Sequence, residues 1–280
     1  MADAPDWSER ILSEHYSDGS GIDLSWLDKP TRHQFRWRTI KGPWVTSRRR
    51  ISSGQSLVRD FNGSMPRDVF VSTSSWLDPV NLPRLKDGKK PPPILLDHKV
   101  VFDIDMRPFC IRRLEEARVA AMRLREWISE ATDLDIQHIS FSGGKGFHLI
   151  ARDPDRSAFS EPDPSKREEM VREQRRKLLD KALDAGHPVD PVVTPDTRRI
   201  IRLPGTLHGS TGFACTILEE GLIEKPVKDW IGEVPRHFSA VSIPKRPPIK
   251  RPSFRFRMRP RVVLEKRRED GEENLSLEVS

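Results

Sequence analysis

The strongest hydrophobic signal in the chain is an apolar run that ends in two acids. Residues 94–105 end in Val-Val-Phe-Asp-Ile-Asp, and this run predicts a strand. The next segment carries apolar residues at spacings of three and four, which is typical of a helix with one buried face. These residues are Leu114, Ala117, Ala121, Leu124 and Ile128. Two more strands are predicted at residues 136–141 and 147–151, joined by a tight loop.

The flanking regions continue this alternation of strands and helices. Upstream, residues 68–73 alternate apolar and polar positions and predict a strand. Downstream, Ser165 and Glu168 form a capping-box pattern at the start of a helix that Gly186 should end. Further strands are predicted at residues 189–193, 199–203 and 212–218. Strands interleaved with two long helices predict an α/β fold with a mixed sheet.

Charge divides the chain into a nearly neutral body and a basic tail. The net charge is +7, yet residues 235–268 contain twelve Lys or Arg and one acid. The last twelve residues contain five acids and no base. We therefore predict one domain over residues 1–234 and an extended or disordered basic tail over 235–280, which would attract phosphates non-specifically. Residues 32–50 form a second basic segment, rich in arginine and tryptophan.

The composition excludes several classes of protein. Hydrophobic residues make up 35% of the chain and charged residues 32%, as in a soluble protein. No apolar run approaches the ~20 residues that a membrane helix needs. The N-terminus lacks an apolar signal region, so we expect a cytoplasmic protein. The two cysteines, Cys110 and Cys215, suit a reducing compartment and cannot form a four-cysteine zinc site.

Two acids at the end of the main strand are candidate metal ligands. Asp103 and Asp105 are two residues apart, so they project from one face of the strand, while Phe102 and Ile104 should anchor it in the core. Carboxylates in this arrangement can hold a pair of magnesium ions for phosphoryl chemistry. Taken alone, Asp-x-Asp more often marks a solvated strand end. A third acid would complete the site, and the sequence offers Asp190 and Asp196.

A glycine-rich loop is the candidate phosphate-binding element. Residues 141–148 read Phe-Ser-Gly-Gly-Lys-Gly-Phe-His and connect two predicted strands. The glycines let backbone N–H groups approach an anion closely, and the loop also supplies a hydroxyl, a cation and an imidazole. The spacing differs from that of a Walker loop. An ordinary hairpin turn is the competing interpretation.

The third candidate element is the segment from residue 198 to residue 212. Arg202 lies among apolar residues, so a buried guanidinium is predicted, and it needs either a carboxylate or a bound phosphate as its partner. His208 lies in a glycine-rich turn that a phosphate could approach. A lone histidine is more often structural.

Taken together and in this order, the blocks resemble the archaeal and eukaryotic DNA primase small (catalytic) subunit. The first is Asp103-Ile-Asp105, the second is Ser142-Gly-Gly-Lys-Gly-Phe-His148, and the third is Val189-Asp190 followed by Ile-Arg202-Leu-Pro-Gly-Thr-Leu-His208-Gly. The resemblance covers roughly residues 30–220, and three blocks in register are far more specific than any one of them. It implies a primase–polymerase core whose sheet is related to RNA-recognition motifs, with an N-terminal α/β part.

The resemblance also implies roles for nine residues. Asp103, Asp105 and Asp190 would hold two Mg or Mn ions. The residues that would contact the incoming nucleotide are Ser142, Gly143, Lys145, His148, Arg202 and His208. Arg32 matches a further basic position of the family poorly. An implied partner is the primase large subunit with its iron–sulphur cluster.

Three features depart from the family. Relatives commonly carry a zinc-binding cysteine cluster, and with two cysteines we expect no structural zinc here. Gly144 stands where relatives often have a basic residue. The basic tail has no counterpart that we can identify.

The expected function is synthesis of short primers on a single-stranded DNA template from nucleoside triphosphates, as a heterodimer with the large subunit. Two alternatives remain open at this point. One is a stand-alone repair or mobile-element primase–polymerase, which the missing zinc cluster and the unusual tail keep open. The other is a non-catalytic nucleic-acid-binding module, which leaves the acids unexplained because carboxylates without metal repel phosphate.

Overall fold

A computed structural model describes residues 5–61, 64–83 and 90–247. Its helices are α1 (Glu9–His15), α2 (Gly54–Phe61), α3 (Ile111–Ala131), α4 (Pro164–Asp184) and α5 (Val227–Trp230). Its strands are β1 (His33–Thr39), β2 (Trp44–Thr46), β3 (Pro66–Trp76), β4 (Leu95–His98), β5 (Val100–Asp105), β6 (Asp135–Phe141), β7 (Gly146–Arg152), β8 (Ile200–Arg202) and β9 (Thr216–Ile217). No helix in the described part of the chain is long and apolar enough to cross a membrane.

The strands form two sheets. The first has the order β2-β1-β3-β4, and β8 also pairs with β3. The second has the order β5-β7-β6-β9. The predicted α/β class is confirmed. The sequence predicts a mixed sheet, but every strand pair in the described ranges is antiparallel. In the second sheet, β5 and β6 run parallel on either side of the α3 crossover, and β7 lies between them and pairs antiparallel with both.

Alternation along β5 gives its two faces different environments. Phe102 and Ile104 are fully buried in the core that includes α3, which confirms their predicted anchoring role. The five apolar positions predicted for α3 are all buried. Val101, on the opposite face of β5, packs with the inner residues of the first sheet. Asp103 and Asp105 share that face with Val101, so their carboxylates are directed toward the first sheet.

The predicted start of α4 is wrong in its details. Pro164 is the first helical residue, and Asp163 is the cap, since its carboxylate accepts from the amides of Ser165 and Lys166 at 3.0 and 2.9 Å. Glu168 therefore forms no capping box and turns instead to the guanidinium of Arg198. The predicted end is confirmed, with a left-handed glycine (φ 82°) two residues beyond Asp184.

The predicted strand at residues 189–193 is also wrong, because this segment forms turns. The Asp190 carboxylate accepts from the amide of Val192 at 2.8 Å, and Pro191 cannot donate to a sheet ladder. The segment still lies beside β5, since the Asp190 amide donates to the carbonyl of Asp103 at 2.9 Å. In the predicted strand at residues 212–218, only Thr216 and Ile217 form β9.

The first part of the predicted tail lies against the domain. Residues up to Pro247 belong to one compact unit, and residues 248–280 lie outside the described residues, so the predicted division at residue 234 stays a prediction. Cys110, the cap of α3, gives that helix no side-chain acceptor. The carbonyls of Pro244 and Lys245 instead accept from the amides of Ile111 and Arg112 at 2.9 and 3.2 Å. The tail therefore caps α3.

Two truncations should separate this capping contact from the remainder of the tail. A chain that ends at residue 242 should be less stable than one that ends at residue 247 by ~1–2 kcal/mol, the usual cost of a lost cap. The shorter chain loses both carbonyl acceptors and also Ile243, which packs on the core. Thermal unfolding followed by circular dichroism measures the difference. Equal stability would show that water satisfies these amides as well as the tail does.

Candidate active site

An open cleft of about 220 Å³ lies where β5, β7 and β8 meet. Its lining residues are Phe70, Asp103, Asp105, Ser142, Lys145, His148, Arg199, Ile200, Ile201, Arg202 and His208. Seven of the nine predicted site residues are among them. The other two, Gly143 and Asp190, lie directly beside lining residues, in the glycine-rich loop and against Asp103 respectively. The structure thus brings the predicted residues together, while their roles stay predictions.

The two acids of β5 are held in an unfavourable environment for negative charge. Burial, and then the neighbouring carboxylate of Asp190, raises the pKa of Asp103 to about 6. Burial, and then Asp103, raises the pKa of Asp105. The nearest imidazole nitrogen, Nε2 of His148, is 3.7 Å from Asp103 Oδ1, which is too far for a hydrogen bond. Asp103 Oδ1 is buried and has no hydrogen-bond partner among the described residues.

The carboxylates of these acids are chemically suitable ligands for a divalent cation. A buried carboxylate oxygen without a partner, with a second and a third carboxylate nearby, is what a hard cation with oxygen ligands would stabilise. As the side chains stand, no three His, Cys, Asp or Glu of the described ranges are close enough together to hold an ion. The carboxylate of Asp190 also keeps its hydrogen bond to the Val192 amide. The donor set fits, and the assignment of two ions stays a prediction.

The glycine-rich loop is a tight turn that folds around its own serine. The amides of Gly144 and Gly146 donate to Ser142 Oγ at 3.3 and 3.4 Å, and the Ser142 amide donates to the Gly146 carbonyl at 2.9 Å. Gly143 has a φ of 75°, a conformation that favours glycine. Lys145, half-buried at the cleft, forms no ion pair with any described residue. Its ammonium is therefore available to an anionic ligand.

His208 explains why a glycine stands at position 144. A Cβ at that position would lie 2.7 Å from His208 Nε2, so the imidazole occupies the space that a side chain would need. Burial, and then Arg202, lowers the pKa of His208 to about 3. Burial lowers the pKa of His148 to about 4. Both rings are therefore neutral near pH 7, and each presents one N–H donor.

Arg202 is paired with a carboxylate that the sequence did not single out. Its Nη1 donates to Asp68 Oδ1 at 2.9 Å and to the Leu207 carbonyl at 3.0 Å. Asp68 Oδ1 also accepts from the Gly209 amide at 2.8 Å. Nearby cations, chiefly Arg202, lower the pKa of Asp68 to about 2 against the opposing effect of burial. Asp68 therefore positions both Arg202 and the turn that carries His208.

Four residues that line the cleft are not among the predicted site residues, and two of them, Arg199 and Phe70, could act on a ligand. Arg199 lines the cleft and lowers the pKa of Asp103 in opposition to Asp190, and Phe70 of β3 forms part of the wall. The signal for Arg199 was its place in the pair Arg198–Arg199. Phe70 could not be recognised, because the sequence does not show that β3 pairs with β8. Arg32, the poor family match, donates to the Leu77 carbonyl at 2.7 Å and is not among the lining residues.

Both cysteines are buried free thiols. Burial raises the pKa of Cys215 to about 12, which disfavours the thiolate that a zinc ion requires. This is consistent with the expectation of no structural zinc, which stays a prediction.

The chain is similar in sequence to several DNA primase small subunits. It is 26% identical over 243 residues to the DNA primase small subunit PriS of Pyrobaculum calidifontis, a match that covers 72% of this chain and 75% of the relative. It is 28% identical over 238 residues to PriS of Pyrobaculum arsenaticum, covering 71% and 74%. A search of family models gives no match. The relatives confirm the resemblance inferred from the motifs.

The fold is similar to that of a solved polymerase domain. The polymerase domain of Mycobacterium tuberculosis ligase D, in complex with DNA, superimposes with a TM-score of 0.53 at 14% identity. The match covers 77% of this chain and 83% of that one. At this identity the likeness shows a shared fold, and it confirms the predicted primase–polymerase fold class.

Proposed function

Because this chain is related to the small subunits of archaeal DNA primases, we propose that it is a DNA-directed nucleotidyltransferase that synthesises short primers on single-stranded DNA. The reaction would be attack of a 3′-hydroxyl on the α-phosphate of a nucleoside triphosphate, with release of pyrophosphate. The observation that carries the proposal is the meeting of opposite chemistries in one cleft. Two carboxylates that repel each other line the cleft together with a lysine, two arginines and two neutral histidines.

The acids would hold divalent metal. Asp103, Asp105 and Asp190 are the residues that we assign to Mg or Mn. Such ions, when bound, lower the pKa of the attacking hydroxyl and stabilise the leaving group. The buried, unpartnered Oδ1 of Asp103 supports this assignment.

The remaining residues would hold the triphosphate. Lys145 supplies a cation without an ion-pair partner among the described residues, and His148 and His208 supply neutral N–H donors. Arg202 uses Nη1 to bind Asp68, which fixes the orientation of its planar guanidinium. Fixed donors that neutralise phosphate charge and align the α-phosphate can supply much of a rate enhancement. At about 220 Å³ the cleft is smaller than the ~300–1,000 Å³ of whole-ligand pockets, so it suits the phosphates better than a complete nucleotide.

A primase large subunit as partner, a nucleoid-associated location and phosphate binding by the basic tail are further parts of this proposal. The stand-alone primase–polymerase and the non-catalytic binding module remain its competitors. Co-purification from native cells distinguishes a replicative subunit from a stand-alone primase–polymerase, since only a replicative subunit should bring a large partner with it.

De novo synthesis on single-stranded DNA is the test of the proposal. The full chain is incubated with an unprimed oligonucleotide, Mg²⁺ or Mn²⁺, and either ribo- or deoxyribonucleoside triphosphates. We expect short products that require both template and metal. Tight template binding without any product, with either metal and either nucleotide pool, would favour the non-catalytic module.

A further inference from the structure

The arginine- and tryptophan-rich segment at residues 32–50 has no part in the chemistry of the cleft. It contains seven Lys or Arg and no acid. It forms β1 and β2, a hairpin at the edge of the first sheet, with Arg38 opposite Trp44. A concentrated positive charge on an edge hairpin can be a solvated surface and nothing more. The side-chain arrangement indicates a more specific role.

The hairpin has one buried and one open face. Phe35 and Trp37 are buried in the core of the first sheet, so the alternating residues Arg36 and Arg38 lie on the opposite face. Directly opposite residues of neighbouring strands share a face. The register pairs Arg36 with Phe70, and Phe70 with Arg202. The open face of the hairpin is therefore continuous with the wall of the cleft.

Planar groups form a continuous series along this face. The Arg202 guanidinium lies 4.9 Å from the centre of the Phe70 ring, and the Phe70 and Trp44 rings are 5.3 Å apart. The Arg36 guanidinium lies 5.1 Å from the centre of the Trp44 ring. Trp44 remains 48% exposed, an unusual position for a large aromatic side chain. The series leads from the cleft to the sheet edge and ends at a ring open to solvent.

This combination is what single-stranded nucleic acid binds. Bases stack on exposed aromatic rings without sequence preference, and a basic surface follows the phosphates. We propose that the face formed by Arg36, Arg38, Trp44 and Phe70 binds single-stranded template, with a base stacked on Trp44 and the strand leading to the cleft. The inference rests on the proposed function, because that function requires the template to reach Asp103 and Asp105.

Binding of a labelled oligothymidine to the full-length chain tests the surface directly. Fluorescence anisotropy is measured in EDTA without nucleotide, at ~0.2 M salt so that non-specific phosphate contacts are weakened. Trp44→Ala should weaken binding about tenfold, in the range known for loss of one stacked base, and Trp44→Phe should retain most of the affinity. Phe238→Ala is the matched control, since Phe238 is 89% exposed and stacks on His237 instead of on a cleft ring.

A second readout covers the charge on the same face. Arg38→Gln should reduce the slope of log affinity against log salt by ~0.7, the loss of one phosphate contact with a single strand. Wild-type tryptophan fluorescence should be quenched by the oligonucleotide more strongly than that of Trp44→Phe. Thermal unfolding of each variant verifies that it is folded.

The outcomes separate this inference from the proposed function. Undiminished binding by folded Trp44→Ala overturns the inference, whatever the polymerase activity of the chain. An equal loss in Phe238→Ala also overturns it, because stacking would then involve the His237–Phe238 pair. A wild-type chain that binds through Trp44 and yet makes no product supports the inference and contradicts the proposed function.

Discussion

Asp103→Asn should abolish nucleotidyl transfer and leave the fold intact, and Asp105→Asn should do the same. The amide has the size of the carboxylate and keeps β5 packed, while it removes a charge that we assign to metal. A bound metal ion supplies several kcal/mol of charge stabilisation, so the loss should be ~10³-fold or more in rate. Primer extension under single-turnover conditions measures it. Asp135→Asn is a matched control, because Asp135 begins β6 on the surface and pairs with Arg152 at 2.9 Å.

Stability provides an independent readout for Asp103. Its pKa is raised from 3.8 to about 6 in the folded chain. Between pH 3.8 and about pH 6 the folded state therefore keeps a proton on Asp103 that the unfolded state has released. Stability of the metal-free protein therefore falls as the pH rises through this window, and the loss persists at neutral pH. Without metal, Asp103→Asn should be at least as stable as wild type at neutral pH. Added Mg²⁺ should then raise the melting temperature of wild type only.

Normal polymerisation by either Asn variant, with unchanged metal dependence, would show that the assignment of two metal ions is wrong. A melting temperature that Mg²⁺ raises equally in wild type and in Asp103→Asn would place the ion elsewhere.

Asp190→Asn should eliminate activity, whereas Asp196→Asn should cost only stability. The Asp190 amide is bonded to the Asp103 carbonyl, and its carboxylate raises the pKa of Asp103, so it lies within electrostatic reach of the site. The Asp196 carboxylate accepts from the Arg198 amide at 2.9 Å within its own turn. Loss of that bond should cost about 1 kcal/mol, as for a cap. Extension assays and thermal unfolding of both variants make the comparison.

The reverse pattern contradicts the choice of third ligand. An active Asp190→Asn chain together with an inactive, folded Asp196→Asn chain would transfer the role to Asp196. Mg²⁺ titration of the melting temperature distinguishes a lost ligand from a local distortion, because only a lost ligand removes the dependence on metal.

The sequence was most informative where one strand or one loop contains the whole pattern. Phe102 and Ile104 are buried and Asp103 faces the cleft because alternation along β5 alone decides this. The apolar face of α3 followed from its spacing in the same way. The motifs at residues 141–148 and 198–212 converge on the cleft as the resemblance implied.

What the sequence did not show depends on pairing between distant segments. Asp68 is one acid in an otherwise unremarkable strand, and its importance arises because β8 pairs with β3 and brings Arg202 against it. Phe70 becomes part of the cleft for the same reason. Residues 189–193 have the β-branched composition of a strand, yet Pro191 and the side-chain bond of Asp190 favour a turn. α3 obtains its cap from residues more than a hundred positions away.

The route of the chain past the cleft has a mechanical consequence. β8 belongs to the first sheet and β9 to the second, so the polypeptide passes from one sheet to the other beside the cleft. Asp68 binds Arg202 at the start of that passage and the Gly209 amide at its middle, and the Thr211 hydroxyl donates to the Gly143 carbonyl of the glycine-rich loop. The Asp68–Gly209 and Thr211–Gly143 bonds tie this passage to the first sheet and to the glycine-rich loop of the second, so the two sheets cannot separate at the cleft without breaking one of them. We therefore expect a preorganised cleft. Closure of one sheet onto the other should not limit turnover, and little conformational entropy should be lost when nucleotide binds.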